Sequence, residues 1–251
     1  MMIFFRRWAI FAFFVLPIAG AGAQEVLRGE VRLDLEPVYG FFVDEIPERT
    51  IRTGAMEAPL DYNEAKRRAA VEAAVLFGGM IYGWSFRYDI GERARGIAEE
   101  LELAPLGSVE AGDPRFTITD TEIKEARLYL WADYRLGEDQ QKRLSMWKIG
   151  LTRSAQGLGH GPLDYAPGLP SVPDSGPGDQ AWLEVKKTAL EDAARAAIRA
   201  MLRADERNRP KEASGYISLA TFPRFWLDKG RWAASGRFLV NVTEIIPFGA
   251  Y

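Results

Sequence analysis

The chain contains no cysteine and one histidine in 251 residues, and these two shortages exclude a good deal. Without cysteine there is no disulfide framework, no thiolate metal centre and no N-terminal cysteine to carry a lipid, so a lipoprotein is ruled out. A eukaryotic secreted chain of this size would use disulfides, so their absence points to a bacterial envelope. The lone His160 can build neither a histidine-rich zinc site nor a histidine pair sharing acid and base duty. Nothing in the sequence requires a cofactor. An excess of charge is missing too: 32 basic against 35 acidic residues give a net charge of −3, which offers nucleic acid no electrostatic footprint.

A long uninterrupted apolar run is also lacking. The stretch Trp8 to Ile18 is apolar but is broken by Pro17, then by Gly20 and Gly22, whereas a spanning helix needs roughly 20 apolar residues. Arg6 and Arg7 precede it, and the small-x-small triplet Ala21, Gly22, Ala23 follows. This spacing predicts a signal peptide over residues 1–23, cleaved to leave Gln24 first. Phe5 stands where a twin-arginine signal carries a polar residue, so general secretion is expected, with a periplasmic or secreted product that has no transmembrane span. Loss of the two arginines moves the formal net charge from −3 to −5.

What is present is a well-patterned core, with 47% hydrophobic residues. Leu27, Val31, Leu33 and Leu35 alternate with Arg28, Glu30, Arg32 and Asp34, predicting a strand. Asp61 and Glu64 have the spacing of a capping box before an alanine-rich helix to Phe77, with Gly78 and Gly79 as its exit. Tyr82, Trp84, Phe86 and Tyr88 then share one side of a strand from Met80; packing against the helices is preferred over a ligand platform, because half-buried strands favour aromatics. Residues 94–103 fit helix and strand equally. Phe116 to Thr119 reads as a short strand, and Arg127 to Leu136 as a strand that turns over Gly137 to Gln140 and returns over Leu144 to Leu151.

Residues 156–178 are rich in Gly, Pro and Ser and predict a loop or linker between a first half or α+β domain, 24–155, and a second half, 179–251. The second half opens with a helix from Asp179 to about Glu206, stopped by Pro210, and closes with a hairpin: Tyr216 to Phe222 out, Asp228 to Gly230 turning, Trp232 to Ile246 back. The fold class is therefore α+β, antiparallel hairpins with two main helices packed on the sheet. Helix followed by two strands occurs twice, which raises two α-β-β units. The repeated Pro-Leu-Asp-Tyr at 59–62 and 162–165 sits at unmatched positions and is read as chance.

No catalytic residue emerges. The glycine run around His160 precedes no helix N-terminus, so it is not a phosphate cradle. Ser154 or Ser171 could join a triad with His160 only without a G-x-S-x-G elbow. Glu99, Glu100, Glu102, Asp133 and Asp139 read as solvated carboxylates, and Asp113 to Asp120 lacks the ligand alternation of a calcium loop. The expected function is a non-catalytic, soluble envelope module that binds an unknown protein or envelope component; the alternative is an exported hydrolase working through carboxylates. The candidate contact surface is Arg224, Phe225, Trp226 and Arg231, aromatics beside arginines at a hairpin tip. The competing reading has Phe222 and Trp232 facing one another across that hairpin.

Overall fold

The computed structural model describes residues 25–35, 62–91, 96, 98–149, 152–162, 181–205, 211–229 and 231–247. The expected signal peptide, the caps at Asp61 and Asp179, Ser171, Pro210, residues 163–178 of the expected linker and all but Tyr62 and Pro162 of the repeated tetrapeptide lie outside them. The described residues form the expected α+β fold, with three helices and nine strands in two antiparallel sheets.

The first sheet runs in the order β1 (Val26–Asp34), β5 (Arg127–Arg135), β4 (Phe116–Lys124). Its inward residues Val31, Leu33, Leu128, Leu130, Ala132 and Tyr134 are buried, as period-two alternation requires. β4 and β5 are joined by Glu125 and Ala126, both left-handed at φ 52° and 56°. That is the turn which matches strand twist, built without the usual Asn or Gly. The strand expected over Leu144 to Leu151 is instead helix α2 (Glu138–Lys148), and β5 pairs with β4 and β1. Gln140, Leu144 and Trp147 are the buried face of α2, at helical spacing, and the Gly137 amide donates to Gln140 Oε1 at 3.0 Å.

The second sheet runs β3 (Glu100–Pro105), β2 (Trp84–Asp89), β7 (Lys211–Leu219), β9 (Arg231–Pro247), β6 (Arg153–His160), with β8 (Arg224–Asp228) beside β9. It therefore draws strands from both sides of residues 156–178, and 156–160, expected as loop, are strand. Helix α1 (Tyr62–Ile81) and helix α3 (Ala181–Asp205) cover its inner face. α1 does not end at Gly78 and Gly79 but runs through them. The missing Cβ at Gly79 makes room for the Trp84 ring, and the chain turns out at Gly83, φ 66°. The strand expected from Met80 begins only at Trp84, because Met80 and Ile81 end α1; Phe86 and Tyr88 are buried, and Trp84 and the preceding Tyr82 pack against the core, so these aromatics serve packing. The ambiguous segment 94–103 runs into the first four residues of β3, which extends to Pro105. β2 and β7, the strands that follow α1 and α3, pair antiparallel.

One core joins both sheets. Between Leu219↔Phe238 and Arg224↔Ser235 the β7–β8 side holds two residues more than β9, and the extra length throws Phe222 out of the hairpin. Its ring lands 4.9 Å from that of Phe77, which also meets Phe116 and Tyr134 of the first sheet. Phe222 thus does not face Trp232, whose cross-strand partner is Leu227.

A hydrogen-bonded knot ties α2 to this core. Asp113 accepts from Arg115 at 2.6 Å and from the Tyr134 hydroxyl at 2.9 Å, while Gln140 Nε2 donates to Tyr134 and Tyr82. The Arg115 guanidinium holds the Asp113 carboxyl down at about 2, below its ordinary 3.8. A lowered carboxyl contributes stability above its ordinary value and loses it as pH falls through the folded one. Asp113→Asn is expected to cost about 1–2 kcal/mol at pH 7, with the gap closing between about pH 4 and pH 2. Urea midpoints of the two proteins at both ends of that range check this; a gap undiminished at pH 2 would contradict it.

Candidate binding face

α1 lies against one face of the first sheet; the opposite face carries the outward residues of β1, β5 and β4. Strand alternation places Val26, Arg28, Glu30, Arg32 and Asp34 beside Arg127, Tyr129, Trp131, Asp133 and Arg135, and beside Thr117, Thr119, Asp120, Glu122 and Lys124. Five of these are basic and five acidic, so the face is densely charged yet neutral. Arg32 bonds Glu30 at 2.7 Å, Arg127 bonds Asp34 at 2.6 Å, and Arg28 lies 3.5 Å from Asp133. Such exposed pairs are worth about 0–1 kcal/mol each, so stability does not explain the arrangement.

Two aromatics stand in the middle. The rings of Tyr129 and Trp131 are 6.2 Å apart and 18° from parallel, and the Arg32 guanidinium sits 5.3 Å from the Tyr129 centroid. On the other side of Trp131 lies a groove of about 580 Å³ lined by Arg28, Glu30, Thr119, Asp120, Trp131 and Asp133, floored by Gly29 and Ala132. Gly29 has no side chain because Phe222 presses on it from the core side. The register of β4 shifts between Ile118 and Asp120, and this bulge brings both Thr119 and Asp120 to the groove. A second cavity, of about 80 Å³, lies behind Trp84, Leu190 and Glu191.

The residues nominated at the hairpin tip are divided by the pleat. Trp226 and Arg224 are exposed on the outer side of β8, with Trp226 at 39%. Phe225 turns inward, half-buried, and Arg231 is half-buried with its Nε unpartnered among the described residues. Beneath them lies a feature the sequence did not announce. Lys186 of α3 and Glu72 of α1 meet at 2.6 Å with side chains 2% and 3% exposed. The Lys186 ammonium lies 4.7 Å from the Trp232 ring and 5.4 Å from that of Phe225. Burial pushes the Glu72 carboxyl up, against the pull of Lys186.

The other weighed residues are scattered. Glu99, expected on a solvated face, accepts from Tyr88 and pairs with Arg199, clasping α3 to β2; burial first, and then Glu99, push the Tyr88 hydroxyl up to about 12. Glu100 and Glu102 lie on β3, and Asp139 is exposed on α2. His160 meets Asp228 at 3.3 Å, while Ser154 lies six residues along the same strand, about 20 Å away, and accepts from Arg237. No triad forms from these two. Among the described residues no group of three metal-ligating side chains converges, and no helix is long and apolar enough to cross a membrane. Period-two alternation over Arg127 to Leu136 is enough to put Tyr129 and Trp131 on one side of the strand, though not to mark them as a site. The signal was two aromatics on the charged side of an alternating segment.

A protein-family model matches the chain over residues 16–248, across both sheets. The chain is 24% identical, over 223 residues, to an uncharacterized protein of Treponema pallidum (strain Nichols), spanning 89% of this chain and 84% of that protein. No solved structure matches it.

Proposed function

The chain belongs to the family whose model spans its residues 16–248, and for this member we propose a non-catalytic role: an exported, soluble protein of the bacterial envelope that binds a surface component through the outer face of β1, β5 and β4. The observation that carries this reading is the groove beside Trp131, set in a face of balanced charge. Export rests on the N-terminal pattern of Arg6 and Arg7, the interrupted apolar stretch and Ala21-Gly22-Ala23. The hairpin tip, with Trp226 and Arg224 exposed, is a second, smaller contact surface in the same proposal.

The hydrolase alternative would draw on Glu30, Asp120 and Asp133, which line the groove. Glu30 and Asp133 already face Arg32 and Arg28, and the groove opens to water. Acid catalysis by a carboxyl needs a desolvated one, so binding is the better reading.

Two measurements test the proposal. Native protein recovered from the envelope should begin at Gln24 or its cyclised form; intact Met1 in the membrane fraction would overturn the export half. A photo-crosslinking residue at Arg28 should give adducts in living cells that the same residue at Lys142, exposed on α2, does not. Equal labelling at both positions, or none at Arg28, would overturn the binding half.

A further inference from the structure

We infer that the groove beside Trp131 binds a neutral polysaccharide, seating a pyranose ring against the free face of the indole; this rests on the proposed binding role and names its ligand.

The argument starts from the pleat. Outward side chains of these strands form rows, and two rows bound the groove: Arg28 with Asp133, and Glu30 with Trp131 and Asp120. Rows are two residues apart, about 7 Å, so the slot beside Trp131 is one row across and open to solvent above. Gly29 and Ala132 lie between the rows with nothing pointing outward, so the floor is backbone. Trp131 is the wall. One of its faces is backed by Tyr129, itself covered by Arg32, and this stack holds the indole upright with its other face toward the slot. Aromatic faces take the C–H face of a pyranose, and planar charged groups take vicinal hydroxyls two at a time. Arg28, Asp133, Glu30 and Asp120 stand around the slot to do so, and the Thr119 bulge adds a hydroxyl at its rim.

Charge and composition exclude the competing ligands. Five cations against five anions give no net field for a nucleic acid or another polyanion. A protein interface needs a core depleted of charge, and ten of the fifteen outward side chains here are charged. What remains is a ligand that is polar, uncharged, flat on one side and rich in hydroxyls.

The test uses the mature protein, residues 24–251, titrated calorimetrically with chitohexaose and with maltohexaose. Saturable binding of either is expected, unchanged by added salt because the ligand is neutral. Trp131→Ala should weaken it roughly tenfold or more without moving the thermal midpoint. Thr119→Lys, on the exposed edge strand, should block the slot and serves as the second variant should Trp131→Ala fold poorly. The inference is overturned if neither sugar binds at about 10 mM, if both variants bind as well as the parent, or if salt abolishes the binding. Adducts at Arg28 in cells together with no binding of either sugar would sink this inference and leave the broader binding role standing.

Discussion

Replacing Gly159 with alanine is expected to lower the thermal midpoint by about 10 °C, the equivalent of roughly 3–5 kcal/mol in a chain of this size. A Cβ at position 159 would collide with the Ala193 amide and lie 2.5 Å from the Ala189 carbonyl oxygen and the Asp192 carbonyl carbon. All three are main-chain atoms of α3, so no side chain can rotate away. The helix would have to lift off β6, and Gly157, whose own Cβ would strike the Ala193 carbonyl, shows that the contact extends along the strand. Lifting α3 also opens the bond from the His160 amide to Asp192 and uncovers the buried alanines 189, 193 and 197. Gly112→Ala is the control, since a Cβ there meets nothing within 4 Å and the backbone is not left-handed. Melting curves of the two variants beside the parent decide it; a Gly159→Ala midpoint within about 2 °C of the parent would mean that α3 does not rest on β6.

The same contact explains one failure of sequence reading. Glycine at 157, 159 and 161 is indistinguishable by composition from loop glycine, yet its period of two is that of a strand whose inner face must vanish for a helix to lie on it. Gly78 and Gly79 misled in the same way. They look like a helix exit, but a Cβ at Gly78 would crowd the Val109 amide nitrogen at 3.3 Å, and the helix carries on to Ile81. α2 was missed because its buried face is partly polar: Gln140 supplies one of three buried positions, and a hydrophobic pattern cannot register a glutamine that is buried to bond two tyrosines. By contrast β1, β5, α1, α3 and the C-terminal hairpin were legible. Each long element carries a clean period of 2 or 3.6 over at least nine residues; within the hairpin only the five-residue β8 does not, and the outgoing strand expected over Tyr216 to Phe222 ends at Leu219.

The candidate site was legible in parts but not as a site. Arg28, Glu30 and Arg32 could be assigned to one side of a strand, and Tyr129, Trp131 and Asp133 to one side of another. That the two strands are neighbours is a tertiary fact: the bond from Arg127 to Asp34 joins residues 93 apart in sequence. Neutrality of the face and the slot beside Trp131 follow from that pairing and from the β4 bulge, neither of which leaves a local signal. The hairpin tip stands out as aromatics beside arginines next to a turn; alternation sends neighbours to opposite faces, but which face is inward is fixed only by the strand pairing. Phe225 and Trp226 were treated as a pair, and the pleat sends one to the core and the other to water.

Phe225 leads to the second large effect, at Glu72. Glu72→Ala is expected to destabilise the protein by about 3–5 kcal/mol, because it leaves the Lys186 ammonium buried with no counter-charge. Lys186 is 2% exposed, and its neighbours Trp232 and Phe225 offer only the faces of their rings, which favour a cation but do not replace a carboxylate bonded at 2.6 Å. Glu72→Gln keeps the volume and an accepting oxygen and should cost less than Glu72→Ala. The double substitution Glu72→Leu with Lys186→Met removes both charges and fills the same space with apolar groups, so it should lie within about 1–2 kcal/mol of the parent. Denaturant melts of the parent, Glu72→Leu, Lys186→Met and their combination close a double-mutant cycle. A large loss for each single change with recovery in the double would show that the pair fixes α1 against α3 and the hairpin above them while adding little net stability of its own. A Glu72→Ala loss below about 1 kcal/mol would mean that water reaches Lys186 and that the box beneath the hairpin is open.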